Sequence, residues 1–249
     1  MTTLLLHGLG ADSTQPLGLF SPVLDALGHD DVSAPDVRAH GTAAHSLGTA
    51  ADYALDRLAD DALSRVGTLD GPVTLIGISM GAAIALRIAL RRLVPIERAI
   101  FVRPAFGSVP LADNLAPFPV IGELLRSRGP VEGARVFRQS EAYHRIELAS
   151  PAGGRGLLSQ FRATDATGRS IRLIEVPRNR AYASSAELTG LGDVATAVIG
   201  APRDPVHPFA LAEEWAGGLG APLERLPARD DGLAAQTEAL RTFVARHLA

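Results

Sequence analysis

Ser79 stands between two glycines in the stretch VTLIGISMG (residues 73–81), where a run of apolar residues stops abruptly. A serine on so tight a turn, ending a strand and opening a helix, projects its hydroxyl into a cleft, where it can attack an acyl carbon. Gly77 and Gly81 suit that use, because side chains two positions either side of the serine would collide with neighbouring backbone. A helix beginning at Met80 also favours developing negative charge at its N-terminus. The bland alternative is a serine that merely caps the next helix. A second stretch, His7-Gly8-Leu9-Gly10, follows another apolar run. Its glycines let backbone N–H groups turn inward, which makes Leu9 N–H and Met80 N–H a candidate pair of oxyanion donors. His7 itself reads as a hydrogen-bonding residue beneath that loop rather than as a base. Arg103, in FVRPAF, closes a third apolar run and belongs on the rim of the same cleft. Its guanidinium suits two-pronged binding of a carboxylate or other anionic oxygen, or equally an ion pair with a rim acid. Asp12 and Gln15, just beyond the oxyanion loop, admit either a structural or a binding role.

The elements that must position these groups follow from the apolar pattern. Runs without alternation fall at Thr3–Leu6, Val73–Ile78, Ala99–Val102 and Ala195–Ile199, with fainter ones at Asp31–Ala34 and Leu223–Leu226. Such runs predict strands covered on both faces, as in a parallel sheet. Helical patterns lie between them. Within Ala51–Val66, Leu55, Leu58, Ala62 and Val66 form one stripe; Met80–Leu93 is apolar nearly all round; Leu240, Phe243, Val244 and Leu248 share a face at the C-terminus. Trp215 fits the core or a helix surface. The expected fold class is α/β, a mostly parallel, doubly wound sheet with an inserted helical lid. Residues 1–103 and 191–249 make the core. Residues 104–190 make the lid, with helix-like pieces at Val120–Arg128, Val131–Gln139, Glu141–Leu148 and Gly156–Arg162 and no convincing strand, too long for an ordinary loop.

Composition removes several chemistries. The 249 residues contain no cysteine, so disulfides, thiolate metal sites and a cysteine nucleophile are excluded. All 24 basic residues are arginine, which excludes a lysine Schiff base. No histidine and carboxylate spacing suggests a metal, and HGLGAD lacks the Lys and Ser or Thr of a phosphate loop, so no cofactor is expected. A net charge of −3 gives no reason to expect nucleic acid, no apolar run is long enough to span a membrane, and MTTLLLHGLG has no basic leader. A cytoplasmic protein with a small-molecule substrate is the expectation. Residues 104–190 hold 11 Arg against 8 acids, net +3, whereas the rest is net −6. That asymmetry suits an anionic or electron-rich ligand, or simply a solvated helical surface.

Four motifs in order resemble the α/β-hydrolases: HGLG their oxyanion loop, APDVRAHG their D-x-R-G-H-G turn, GISMG their nucleophile elbow, and GAPRDPVHP their G-x-x-D-x-x-x-P acid segment. The similarity covers nearly the whole length. It implies that Asp204 occupies the triad acid position and that His40 is a structural turn histidine. It also implies that the sequence starts at the family's third strand, without the N-terminal hairpin. One departure is plain: the family's catalytic histidine follows the last strand, and LERLPARDDGLAAQ has none, only Asp230 and Asp231 near the place. Of the seven histidines, His247 ends a terminal helix, His29 lies in a turn, His45 is on a loop and His144 is in the lid. His207 follows Asp204 by three residues in Asp204-Pro205-Val206-His207-Pro208. It is either a relocated base or a helix-entry histidine near the cleft. Three functions are compatible with these residues. The first is hydrolysis of an ester, thioester or lactone by Ser79; the second is a lyase, isomerase or cyclase on the same scaffold; the third is non-catalytic binding of a small ligand.

Overall fold

In the computed structural model, which describes residues 2–249, the apolar runs become strands β1 (Thr2–Leu6), β2 (Val32–Ser33), β3 (Val73–Ile78), β4 (Ile96–Val102), β5 (Ala195–Gly200) and β6 (Leu223–Arg225). They form one sheet in the order β2-β1-β3-β4-β5-β6, every neighbouring pair parallel. The chain therefore starts inside the sheet, moves outward to β2, and then crosses back over β1 to build the other side. Register aligns the carboxyl ends: Leu6 pairs with Gly77, and Ile78 with Val102. The loops after β1 and β3 thus meet where the winding direction reverses, the usual place for a site in such a sheet.

Ten helices accompany the strands among the described residues: α1 (Thr14–Ala26), α2 (Leu55–Ser64), α3 (Met80–Leu90), α4 (Pro117–Arg138), α5 (Glu141–Ala149), α6 (Pro151–Ser159), α7 (Ile171–Glu175), α8 (Ser185–Leu188), α9 (Phe209–Leu219) and α10 (Leu233–Leu248). Successive strand residues point to opposite faces, which explains the lack of polar alternation. Leu5, Ile76, Ile100 and Ile199 meet Phe20 and Leu24 of α1 and Leu240 and Val244 of α10. Leu4, Leu6, Leu75 and Phe101 meet the opposite layer, including Leu58 of α2, Ile84 and Ile88 of α3, and Trp215 of α9. Trp215 is wholly buried and donates its indole N–H to Phe106 O at 3.0 Å, so it is a core residue.

Between β4 and β5 every regular element is helical. The apolar faces of α4, α5 and α6 join the second of those cores through Phe118, Ile121, Leu125, Phe137, Tyr143 and Leu157. Two boundaries differ from the sequence pattern. The pieces expected at Val120–Arg128 and Val131–Gln139 run together as α4, with a break at Gly129 (φ 71°, ψ 179°) ahead of Pro130. The helix expected from Gly156 starts at Pro151, because Ser150 accepts a hydrogen bond from Gly153 N–H and Pro151 begins the first turn.

Candidate active site

Ser79 links β3 directly to α3 and has φ 56° and ψ −112°, a conformation that residues with a side chain seldom adopt. The surrounding structure imposes it. Ser79 N–H donates to Val102 O at 2.9 Å, and Ser79 O accepts from Ala82 N–H at 3.1 Å. The flanking glycines are required by space: a Cβ on Gly77 would lie 2.2 Å from Gly81 O, and one on Gly81 would lie 2.1 Å from Leu6 O. This close crossing of β1, β3 and α3 thrusts the Ser79 side chain clear of the sheet.

His207 and Asp204 lie in the loop after β5. His207 Nε2 is 2.9 Å from Ser79 Oγ, and His207 Nδ1 is 2.9 Å from Asp204 Oδ2. A carboxylate only accepts, so Nδ1 carries the proton, and Nε2 of the neutral ring is left to accept from the Ser79 hydroxyl. Asp204 Oδ1 accepts from Val206 N–H and His207 N–H, both at 3.1 Å, which folds the short turn so that two side chains three residues apart meet. Burial alone would raise the Asp204 pKa. The attraction of His207, its ring and backbone hydrogen bonds, and the Arg103 charge outweigh burial and hold the carboxyl well below its ordinary value.

That depression has a consequence for stability. A group whose pKa is lowered by folding contributes stability that is present above its unfolded pKa, about 3.9, and is lost as pH falls towards the folded value. Urea titrations between pH 3 and 7 are therefore expected to show Asp204→Asn flattening part of the acid limb of the wild-type curve. An identical acid limb in both proteins would refute the assignment.

The loop after β1 is braced from beneath by two histidines, neither of which hydrogen-bonds to Ser79. His7 Nδ1–H donates to Gly8 O (2.9 Å) and Nε2 accepts from Val37 N–H (3.0 Å); His40 Nδ1–H donates to Arg38 O (2.8 Å) and Nε2 accepts from Gly10 N–H (3.1 Å). Each ring needs one donor and one acceptor, so each must be neutral. Burial supplies this, lowering the pKa of both, with Arg172 adding to the effect at His40. Gln15 Oε1 accepts from Gly8 N–H at 2.8 Å, and Ala11 N–H donates to Gly8 O. Among the described residues, Leu9 N–H and Met80 N–H find no acceptor, while Gly8, Gly10 and Ala11 are all engaged.

Arg103 follows β4 with φ 46°, and its Nη1 is 3.7 Å from Asp204 Oδ2. The other sequence candidates go elsewhere. Asp12 accepts from Thr14 N–H, His29 contacts Thr3 Oγ1, His247 contacts Glu224, and His45 and His144 are exposed. Where the family's histidine would stand, the turn Arg229–Asp231 is committed to structure: Asp230 accepts from Ala152 N–H (2.8 Å) and Ser150 Oγ–H, and Asp231 pairs with Arg203.

Ser79, His207 and Asp204 line a cavity of about 210 Å³, covered from the helical side by Phe118 and Leu157. Two of its residues had no signal in the sequence. Gln160 directly follows α6 and begins the next turn; its amide fills the space a side chain on Gly10 would need, and its Oε1 is buried without a hydrogen-bond partner. Arg229 lies in the turn whose acids, Asp230 and Asp231, carry the more obvious chemistry. No group of potential metal ligands occurs among the described residues, and no helix there is long and apolar enough to cross a membrane.

Residues 3–244 match the model of the alpha/beta hydrolase family, and the chain belongs to that family. The enol-lactonase of Burkholderia xenovorans LB400 shares 24% identity and a TM-score of 0.68, over 99% of this chain and 90% of that one. A thermophilic esterase from Thermogutta terrifontis, solved with malate bound, shares 20% identity at a TM-score of 0.66, over 99% and 90%. MenH from S. aureus shares 17% at 0.68, over 100% and 93%. At these identities the likeness is one of fold. A comparison with curated proteins gives no match.

Proposed function

We propose that the protein is a serine hydrolase acting on an ester, thioester or lactone, and that residues 104–190 serve it as a lid over the small-molecule site. The observation that carries this reading is the relay Ser79 Oγ–His207 Nε2, 2.9 Å, and His207 Nδ1–Asp204 Oδ2, 2.9 Å. His207 takes the Ser79 proton as Oγ bonds to the acyl carbon. The carbonyl oxygen becomes an oxyanion that accepts from Leu9 and Met80 N–H, the two donors left free by the loop's own bonding. Collapse breaks the bond to the leaving alkoxide or thiolate, which receives the proton from His207. Water, deprotonated by the same ring, then attacks the acyl-serine and restores Ser79. Asp204 orients the ring and stabilises its positive charge throughout.

An alkyl fluorophosphonate tests this directly. Mass spectrometry is expected to find a single adduct on Ser79 in the wild type and none in Ser79→Ala, with labelling strongly slowed in His207→Ala. A p-nitrophenyl ester should release a burst of nitrophenol stoichiometric with enzyme if deacylation is slower than acylation. Turnover that persists in Ser79→Ala would instead favour a proton-transfer reaction in the same cleft.

A further inference from the structure

We propose that the cleft selects acyl substrates bearing a carboxylate, which Arg103 and Arg229 hold; this rests on the acyl-transfer reading above and names its substrate class. The turn after β6 sets the arrangement. Asp230, bonded to Ser150 Oγ and Ala152 N–H at the start of α6, ties that turn to the helical segment. Its neighbour Arg229 is thereby brought into the lining of the Ser79 cavity, with Nη1 against Gly156, 3.6 Å from where a Cβ would stand. The Arg229 side chain makes no ion pair and no hydrogen bond among the described residues; only its backbone carbonyl is engaged, by Gly232 N–H.

Arg103 is scarcely better satisfied. Among the described residues its one acidic partner, Asp204, is 3.7 Å away, beyond hydrogen-bond reach, and both Asp204 oxygens are already engaged by His207 and Val206. The Arg103 side chain is only 15% exposed, and burial lowers its pKa; Asp204 acts in the opposite sense and Arg229 adds to the lowering. Two guanidiniums against one carboxylate leave a single positive charge in the site. One monoanion neutralises it, whereas a phosphate dianion would overshoot.

Position agrees with charge. A second cavity, about 140 Å³, adjoins the first and shares Gln15, Ile78, Arg103 and Arg229 with it. Both arginines therefore border both cavities. A carboxylate bound there leaves the rest of the compound in the cavity that holds Ser79. Planar guanidinium forks suit a carboxylate better than a point charge would.

Matched esters test the proposal. The carboxylate is placed on the acyl side in p-nitrophenyl hydrogen glutarate against p-nitrophenyl pentanoate, and on the leaving group in 3-acetoxybenzoate against phenyl acetate. In one series or the other, kcat/KM is expected to favour the charged ester by at least about tenfold, and Arg229→Gln should bring that ratio close to one. Because the ratio is taken within each protein, a partly unfolded variant cannot mimic the result. Arg229→Lys should recover only part of the preference. Calorimetry of p-nitrophenyl hydrogen glutarate on Ser79→Ala separates the two readings. Binding that weakens about tenfold or more in Ser79→Ala/Arg229→Gln supports the carboxylate site even if the wild type turns nothing over, an outcome that would sink the hydrolase reading alone. Brisk hydrolysis of the neutral esters without preference for the charged ones, or a preference that survives Arg229→Gln, would overturn the carboxylate site and leave the hydrolase reading standing.

Discussion

His207→Ala is expected to reduce kcat for ester hydrolysis by roughly 10³-fold or more, as much as Ser79→Ala does, and the double variant is expected to be no slower than either single one. The reason lies in the shared proton. Serine is a poor nucleophile at neutral pH, and among the described residues the one imidazole hydrogen-bonded to Ser79 Oγ is that of His207, at 2.9 Å. In the proposed mechanism the two side chains act as one unit, so the losses cannot add. Asp204→Asn should cost less, since Ser79 and His207 keep their contact and lose only the charge behind the ring. Initial-rate measurements on one activated ester with the wild type and the four variants decide the matter. Additive losses, or a His207→Ala variant that keeps most of its activity, would show that His207 is a bystander at the mouth of the cleft. The carboxylates near the family's usual histidine position offer no rescue. Asp230 is spent on Ser150 and Ala152, and Asp231 on Arg203.

The sequence was most informative where one residue's chemistry left no alternative. Uninterrupted apolar runs can only be covered on both faces, so the parallel sheet was legible, and β3 matched its expected limits, Val73–Ile78. The elbow was legible because two glycines flank a serine at a strand end. His207 was harder to read. Its spacing from Asp204 was visible, but whether the side chains meet depends on the turn that Asp204 Oδ1 closes with two backbone N–H groups, a detail no residue pattern encodes. Arg229 and Gln160 could not be read at all. Each enters the cavity because a distant contact holds its segment there: Asp230 against the first turn of α6 for Arg229, and the packing of α6 over Gly10 for Gln160. Long-range docking of an inserted helical segment leaves no local signature, whereas the helix boundaries near Gly129 and Ser150 have local causes, a positive φ ahead of Pro130 and a Ser150 cap ahead of Pro151.

Gly81→Ala is expected to be the most damaging single-methyl change in the protein. An added Cβ would stand 2.1 Å from Leu6 O and 2.8 Å from His7 O, which are backbone atoms of β1 and the loop that follows it. No side chain can rotate away to make room. Either α3 must lift from the sheet or the β1–β3 pairing must open, and both carry fully buried residues, including Leu6, Met80 and Ile84. Overpacking a well-filled core typically costs about 1–3 kcal/mol, and a clash with fixed backbone belongs at or above the top of that range. That is a large part of the stability of a single domain. The contrast with Gly67 makes the test sharp. That glycine has a positive φ, 81°, which Gly81 lacks, but a Cβ there would meet nothing within 4 Å, so Gly67→Ala should lose only the smaller cost of a strained backbone. Urea denaturation of the two variants is expected to place Gly81→Ala at least about 2 kcal/mol below Gly67→Ala. Equal midpoints would mean that α3 does not press against the end of β1. The elbow geometry would then lose its physical basis, because it is this contact that forces the turn at Ser79 to be so tight.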